Sequence, residues 1–298
     1  DGSFEKSSKA EQIYSGQANY ELYLFKDDNG NPYNKYFPGL AVLQLPFFTI
    51  ACAFSFIAGQ PVDGYSIIFV VFFYLGSLFY AVAGLYLFAR SLRILFPLDY
   101  HRIKWLIPLF YIATPLLFYA FFSPSYTHVY SFFLFGLFSL RILKLKSDVS
   151  VLNILFASII LGLIFLVRPT NLFVVLIIPF LMGNRSLFIM FIKKLVAAKG
   201  KLLFIGIVGF ISVISILFLT WKWQSGNWIL WSYSGEGFNL LDPKLIETFF
   251  SFRTGLFVHT PLILLSVVGM FLFMRSNKYA SIFLWIYLLV NAWIIASW

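Results

Sequence analysis

Long apolar runs, separated by short clusters of basic residues, follow one another along most of the chain. Most are close to the length of about 20 residues that an α-helix needs to cross the hydrocarbon core of a membrane. They predict an all-α, polytopic membrane protein. A shorter run, 172–182, reaches spanning length only if it extends through Gly183 to Arg185. The seven runs predicted to span are 65–89, 105–122, 126–143, 151–167, 202–221, 254–274 and 279–298.

The charges between these runs predict the orientation of the chain. Basic loop clusters of membrane proteins stay preferentially on the cytoplasmic side. Fourteen of the 22 lysines and arginines lie in four such clusters, whereas ten of the 12 acidic residues lie in the alternate segments. We therefore expect residues 123–128, Arg168 and residues 221–255 on the outer side. The cytoplasmic clusters comprise Arg90, Arg93, Arg102, Lys104, Arg141, Lys144, Lys146, Arg185, Lys193, Lys194, Lys199, Lys201, Arg275 and Lys278.

Residues 37–58 form an apolar run that interrupts this alternation. If they crossed the membrane, segment 1–36 would be cytoplasmic, but its six acids and four lysines show no cytoplasmic bias. Pro38 and Pro46 also disfavour a straight transmembrane helix. We predict a juxtamembrane or re-entrant helix with both ends outside, and an ordinary span is the alternative.

The composition agrees with a membrane protein. Hydrophobic residues make up 60% of the 298 residues and charged residues only 11%, against about 25% charged in soluble domains. We attribute the net charge of +10 to membrane orientation and expect no nucleic-acid partner. A single cysteine, Cys52, excludes an internal disulfide framework, and the sequence contains no nucleotide-binding or hydrolase motif.

The ends of the chain predict a module that continues in both directions. The chain begins at Asp1, with no span before its first outer segment, and closes on an apolar run at Trp298. We expect a single transmembrane module, incomplete at both ends. Its parts are an outer loop with a juxtamembrane helix (1–64), a transmembrane bundle (65–220), an outer loop (221–255) and further transmembrane helices (256–298).

Arg168 lies in the sequence LVRPTN, directly after the apolar run 151–167. A charged residue at this depth needs either water or a partner. A guanidinium group matches the geometry of phosphate, so Arg168 is a candidate ligand for the phosphate of a lipid-linked substrate. Pro169 and Asn171 predict a shaped break after the helix. The alternative is an interfacial arginine that extends to lipid headgroups.

Other polar residues of the outer segments are candidate substrate ligands. A lone histidine is more often only a polar interfacial residue, and no spacing of His, Asp or Glu indicates a metal site. Asp1 could act as a general base on an acceptor hydroxyl. The alternative is that Asp1 is only a solvent-exposed acid in a loop. The candidate ligands are Tyr126 and His128 in SPSYTH, Glu236 in YSGEGF, and Arg253 and His259 in SFRTGLFVHT.

The order of motifs along the chain resembles bacterial membrane glycosyltransferases of the GT-C type, of the protein mannosyltransferase and aminoarabinose transferase kind. The resemblance covers nearly the whole chain and is carried by the segments DG (1–2), NKYFPGLAVLQLPFF (34–48), DGYS (63–66), SPSYTHVYSFFLF (123–135), GLIFLVRPTN (162–171), YSGEGFN (233–239) and FSFRTGLFVHTPLILL (250–265).

This resemblance implies a GT-C-like fold and an inverting transfer of a sugar from a polyprenyl-phosphate carrier. Asp1 corresponds to the catalytic aspartate, although Gly2 replaces a second acid that is often found there. Lys35 corresponds loosely to the lysine of a lysine-proline-proline element, with Phe37 replacing the first proline. The resemblance places the protein in the bacterial cytoplasmic membrane with its site facing the periplasm.

The sequence therefore predicts a membrane glycosyltransferase whose acceptor is a lipid, a glycan or a protein. Asp1 would deprotonate the acceptor, and Arg168 would neutralise the departing phosphate. No cofactor is expected, and the sequence leaves open whether a divalent metal takes part in the reaction. The remaining substrate-binding candidates are Lys35, Tyr126, His128, Asn171, Glu236, Arg253 and His259. The alternatives are a transporter or flippase for a lipid-linked or anionic solute, and a membrane scaffold.

Overall fold

The computed structural model of the protein describes residues 25–26, 32–96, 100–198, 200–233, 236–253 and 255–298. The described chain is a helical bundle, which confirms the all-α prediction. A minimal antiparallel pair, β1 (Phe25–Lys26) and β2 (Pro32–Tyr33), precedes the helices. The α-helices are α1 (Gly39–Ile57), α2 (Ile67–Leu95), α3 (Tyr100–Ala113), α4 (Leu116–Phe121), α5 (His128–Leu145), α6 (Val151–Val167), α7 (Ile178–Met182), α8 (Arg185–Ala197), α9 (Lys201–Ser225), α10 (Leu245–Phe250), α11 (Leu256–His259), α12 (Ile263–Ser276) and α13 (Lys278–Ala296), and a 3-10 helix, Pro169–Ile177, joins α6 to α7.

Five of the described helices are long and apolar enough to cross a membrane, namely α1, α2, α5, α9 and α13. The protein is thus a multi-pass membrane protein. Two predicted spans are broken in the structure. Pro115 separates α3 from α4, and Pro261 lies between α11 and α12. Proline lacks the backbone N–H that an uninterrupted helix needs and so favours a break at both positions, whereas Pro46 and Pro108 are accommodated inside α1 and α3.

The core of the bundle is centred on α5, which packs between α2 and α6. A stripe at every fourth position of α5 is almost completely inaccessible to solvent, and this spacing places its members on one face of the helix. The stripe consists of Tyr130, Leu134, Phe138 and Ile142.

Small residues bring α6 and α9 unusually close together. A methyl group on Gly162 would lie 2.8 Å from Cβ of Val213, and one on Gly209 would lie 2.4 Å from Oγ of Ser158. Membrane helices have no strong hydrophobic drive to associate, so close packing of this kind stabilises their contacts. The arrangement fixes the position of Arg168, the residue that follows α6.

The predicted cytoplasmic loops meet at one end of the bundle, called here the basic end. Nδ2 of Asn277, before α13, donates to the carbonyl of Gly183 at 2.9 Å. The rings of Phe96 and Phe273 touch, with centroids 5.8 Å apart. The 18 residues of α5 rise about 27 Å at about 1.5 Å per residue. The start of α5 and the end of α6 therefore lie at the opposite end, called the site end.

Helices α1 and α2 form an antiparallel hairpin. The ring of Phe47 contacts Phe79 at a centroid distance of 5.6 Å, and Phe54 contacts Phe72 at 5.2 Å. These ring contacts of α1 thus involve the N-terminal half of α2. The C-terminal end of α2, at Leu95, lies at the basic end of the bundle. This antiparallel packing is compatible with both predicted arrangements of α1, a juxtamembrane helix and an ordinary span. Because α1 is also long enough to cross a membrane, its juxtamembrane character stays a prediction.

Candidate functional site

Arg168 lies at the break between α6 and the 3-10 helix. Its backbone is extended, with φ −161° and ψ 117°. Its N–H still donates to the carbonyl of Ile164 at 3.1 Å, and its own carbonyl accepts from the N–H of Asn171 at 2.9 Å. Pro169 begins a 3-10 helix of nine residues, longer than the three or four residues that such helices usually reach. The exposed Arg168 side chain therefore leaves the bundle at a backbone that is fixed on both sides.

Asn171 anchors this break to the start of α5. Its Nδ2 donates to Oγ of Ser131 at 2.9 Å, and that hydroxyl donates to the carbonyl of Thr127 at 2.8 Å. Thr127 directly precedes His128. Two hydrogen bonds therefore connect the LVRPTN segment to the turn that carries the predicted residues Tyr126 and His128.

Three aromatic rings form a stack beside Arg168. The rings of Tyr119 and His128 are stacked with centroids 4.1 Å apart, and Tyr126 lies parallel to His128 at 6.2 Å. The positive charge of Arg168 is close enough to act electrostatically on both Tyr119 and His128. The structure thus brings together Arg168, His128 and Tyr126, which the sequence predicted only to share the outer side of the membrane.

Lys35 and Glu236 form an ion pair at the same end of the bundle, although 201 positions separate them in the sequence. Their side chains are 16% and 40% exposed. Nζ of Lys35 also lies 5.1 Å from the centroid of the Tyr233 ring. Burial raises the pKa of Tyr233 above its ordinary value of 10.0, and the charges of Lys35 and Arg168 oppose that shift. Tyr233 is therefore close to both the ion pair and Arg168.

Phe37 packs these segments onto the bundle. Its ring contacts Phe165 of α6 at 6.1 Å, Trp221 of α9 at 6.0 Å and Tyr233 at 6.2 Å. Tyr233 in turn contacts Trp298, with centroids 5.5 Å apart. This aromatic cluster explains why a phenylalanine at position 37 serves the fold, and it holds Lys35 and Glu236 beside the end of α6.

Gly39 permits the closest contact between α1 and α6. A methyl group at this position would lie 2.3 Å from the carbonyl carbon of Leu166 and from the backbone nitrogen of Val167. Only a residue without a side chain fits there. The first turn of α1, four residues after Lys35, is consequently pressed against the residues that precede Arg168.

Two predicted site residues lie in a separate part of the outer segments. Arg253 and His259 belong to the segment that contains α10 and α11. Nε2 of His259 lies 3.1 Å from the carbonyl oxygen of Phe252, and α10 packs against α13. Among the described residues, the ring contacts, hydrogen bonds and ion pair of the Arg168 cluster involve neither Arg253 nor His259. Asp1, the predicted catalytic residue, lies outside the described residues.

The described cluster combines two cations, one carboxylate, an imidazole and three phenols at one end of a membrane bundle. Such a set can bind a phosphate and orient hydroxyl groups. In the part of the chain that the structure describes, no three His, Cys, Asp or Glu side chains are grouped closely enough to hold a metal ion.

The sequence interpretation missed Tyr119, Ser131 and, as a site residue, Tyr233. Tyr119 lies within an apolar run and Ser131 within a helix, so nothing local distinguished them. Tyr233 stands three positions before Glu236 in the YSGEGF segment, and that proximity was a usable signal.

The chain was compared with protein-family models, with characterised proteins and with solved structures, and none of the three comparisons gives a match.

Proposed function

We propose that the protein is a glycosyltransferase that moves a sugar from a polyprenyl-phosphate carrier to an acceptor on the outer face of the bacterial cytoplasmic membrane. The observation that carries the proposal is the convergence of Arg168, Lys35, Glu236 and His128 at the end of the bundle opposite the basic loops. The resemblance of the motif order to GT-C transferases supports the same activity.

The cluster suits a phosphate leaving group that is attached to a lipid. Arg168 is exposed and follows an apolar helix of 17 residues, so a phosphate at the membrane surface can reach it while the hydrocarbon tail stays in the membrane. Lys35 supplies a second positive charge nearby. Cations that are already positioned where negative charge develops stabilise a transition state without further reorganisation.

In the proposed reaction the acceptor oxygen forms a bond to the anomeric carbon. The bond between that carbon and the carrier's phosphate oxygen breaks, and its electron pair leaves with the phosphate. The proton of the acceptor hydroxyl passes to the carboxylate of Asp1. Arg168 and Lys35 stabilise the departing phosphate, and Glu236 orients hydroxyl groups of the sugar or acceptor.

The first test measures binding of polyprenyl phosphate to the protein reconstituted in lipid nanodiscs. Arg168→Ala should weaken binding by roughly 10- to 100-fold, because a hydrogen bond to a charged group contributes about 1.5–3 kcal/mol, and Arg168→Lys should recover part of the loss. Lys244→Gln is the matched control, because Lys244 is an outer-segment cation that pairs with Asp242 and should leave binding unchanged. Equal binding by Arg168→Ala and Lys244→Gln would contradict the proposal.

The second test separates a transferase from a transporter. Asp1→Asn should abolish sugar transfer while the affinity for polyprenyl phosphate stays close to that of the unaltered protein. A transporter would be nearly indifferent to this substitution. Unchanged movement of the carrier across the membrane by Asp1→Asn, together with the absence of any transfer product from the unaltered protein, would favour transport and refute the proposed reaction.

A further inference from the structure

Helix α8 differs from the helices around it in its direction. The segment Pro169–Met182 and α8 together have the length and composition of a span, but they are bent by 119°. Gly183 forms the turn with φ +87°, a value that favours glycine. Asn184 then caps α8, because its side-chain oxygen accepts from the N–H of Leu187 at 2.9 Å. The bend is therefore built into the local sequence.

The turn before α8 is fixed at the basic end of the bundle. The carbonyl of Gly183 accepts the hydrogen bond from Asn277, and Lys146 at the end of α5 lies next to Gly183. Because the chain turns by 119° at this point, α8 does not continue along the axis of the preceding segment but turns back onto the bundle, where Phe191 joins the main core.

Three faces of α8 carry different chemistry. One face packs on the main core through the buried Phe191, with Leu187, Phe188 and Leu195 beside it. A second face is apolar and exposed. Its residues follow the helical spacing of one stripe, and their exposed fractions are 40% for Ile189, 41% for Ile192 and 72% for Val196.

The third face is basic. Lys193 is exposed directly beside the apolar stripe, and Lys194 is exposed about 100° further round the helix, beyond Met190. Arg185, in the first turn, is exposed in line with the stripe. The sequence contains no acidic residue between Asp148 and Glu236, so no carboxylate of this stretch neutralises these charges. An exposed apolar stripe beside lysines is typical of helices that lie in the plane of a membrane interface.

We infer that α8 is an interfacial helix that binds anionic phospholipids of the leaflet at the basic end. Ile189, Ile192 and Val196 insert among the acyl chains, and Lys193 and Lys194 contact the phosphodiester headgroups. An anionic leaflet is the occupant that this surface fits, because it offers acyl chains to the apolar stripe and phosphodiester groups to the lysines. This inference is independent of the proposed transferase activity, since it concerns the opposite end of the bundle.

The test uses a fluorophore attached at α8 of the full chain. Val196→Cys is introduced in a Cys52→Ser background, labelled, and reconstituted in phosphatidylcholine vesicles with and without phosphatidylglycerol. Quenching by nitroxide-labelled phosphatidylcholine reports insertion into the acyl region. The ratio of quenching by nitroxide-labelled phosphatidylglycerol to that by phosphatidylcholine reports selectivity for the anionic headgroup.

We expect quenching by both lipids, with a clear preference for phosphatidylglycerol. Each lysine near an anionic surface contributes about fivefold in affinity for that surface, so Lys193→Gln with Lys194→Gln should remove most of the preference for phosphatidylglycerol and bring the quenching ratio close to one. The matched control, Lys222→Gln with Lys244→Gln, removes two cations from the outer segments and should leave it unchanged.

Two results would overturn the inference. Equal quenching by the two lipids in the unaltered protein would exclude selectivity for anionic headgroups. Absence of quenching by either lipid would show that α8 does not lie in the membrane, and an immobilised label in that case would identify a protein as the occupant of the surface.

Discussion

The contact between Gly39 and α6 offers the sharpest test of how the site end is assembled. Substitution Gly39→Ala introduces a methyl group 2.3 Å from two backbone atoms of Leu166 and Val167, whereas ordinary contacts begin near 3.4 Å. Backbone atoms cannot rotate away as a side chain can, so α1 must move relative to α6. The movement is roughly 1 Å, the difference between the distance of an ordinary contact and that of the clash.

The cost of this movement can be estimated from comparable overpacking. Forcing extra methyl groups into a packed interior costs about 1–3 kcal/mol. Alanine is preferred over glycine within helices by about 1 kcal/mol, but Gly39 is the first residue of α1 and gains only part of this. We expect Gly39→Ala to lower the free energy of unfolding by about 1–2 kcal/mol and to weaken polyprenyl phosphate binding, because Lys35 moves with α1.

Gly206→Ala is the matched control for this substitution. Gly206 lies inside α9, and a methyl group there would lie 3.5 Å from Cγ2 of Ile154, an ordinary contact. This variant should be neutral or more stable by about 0.5–1 kcal/mol. Unfolding in detergent, followed by circular dichroism, compares the two variants. A Gly39→Ala protein as stable as Gly206→Ala would refute the packing of α1 on α6.

Two further predictions concern the groups around Lys35. In a double-mutant cycle of Lys35→Gln and Glu236→Gln, we expect a coupling in the free energy of unfolding of about 1 kcal/mol. The more exposed pair of Lys244 and Asp242 should show a smaller coupling. A larger coupling for Lys244 and Asp242 than for Lys35 and Glu236 would contradict the described geometry. Burial raises the pKa of Tyr233 above its ordinary value of 10.0. The contribution of this group to stability is therefore present below pH 10 and is lost as the pH rises through the raised pKa. The Tyr233→Phe protein should accordingly lose less stability at alkaline pH than the unaltered protein. Phenolate absorbance should also show that Lys35→Gln raises this pKa further, and a lowered value would contradict the placement of Lys35 over the ring.

Much of the architecture was predictable because membrane insertion imposes strong rules on a sequence. The length of the apolar runs and the positions of basic loops gave the helices and the end of the bundle where those loops meet. The interruptions were harder to place. Pro115 and Pro261 lie inside runs whose hydrophobicity alone is compatible with a continuous helix, so their effect on the backbone became clear only in the structure.

The candidate site was predictable only as a set of residues that share one side of the membrane. Charge patterns place Arg168, His128 and Glu236 on the outer side, but they contain no information about lateral distance. The structure brings these residues together through Phe37 and Gly39, whose roles depend on packing between distant segments. Arg253, which the sequence grouped with them, follows Glu236 in the same predicted outer loop, but it lies in the part that contains α10 and α11.

The central claim is that Arg168 and the segment containing Lys35 bind the phosphate of a lipid carrier. The most direct measurement is an electron cryo-microscopy structure of the protein in nanodiscs with polyprenyl phosphate. We predict density for the phosphate within hydrogen-bonding distance of the Arg168 guanidinium, on the side that faces Lys35 and the first outer segment. Phosphate density elsewhere in the bundle, with Arg168 directed to bulk lipid, would contradict the account.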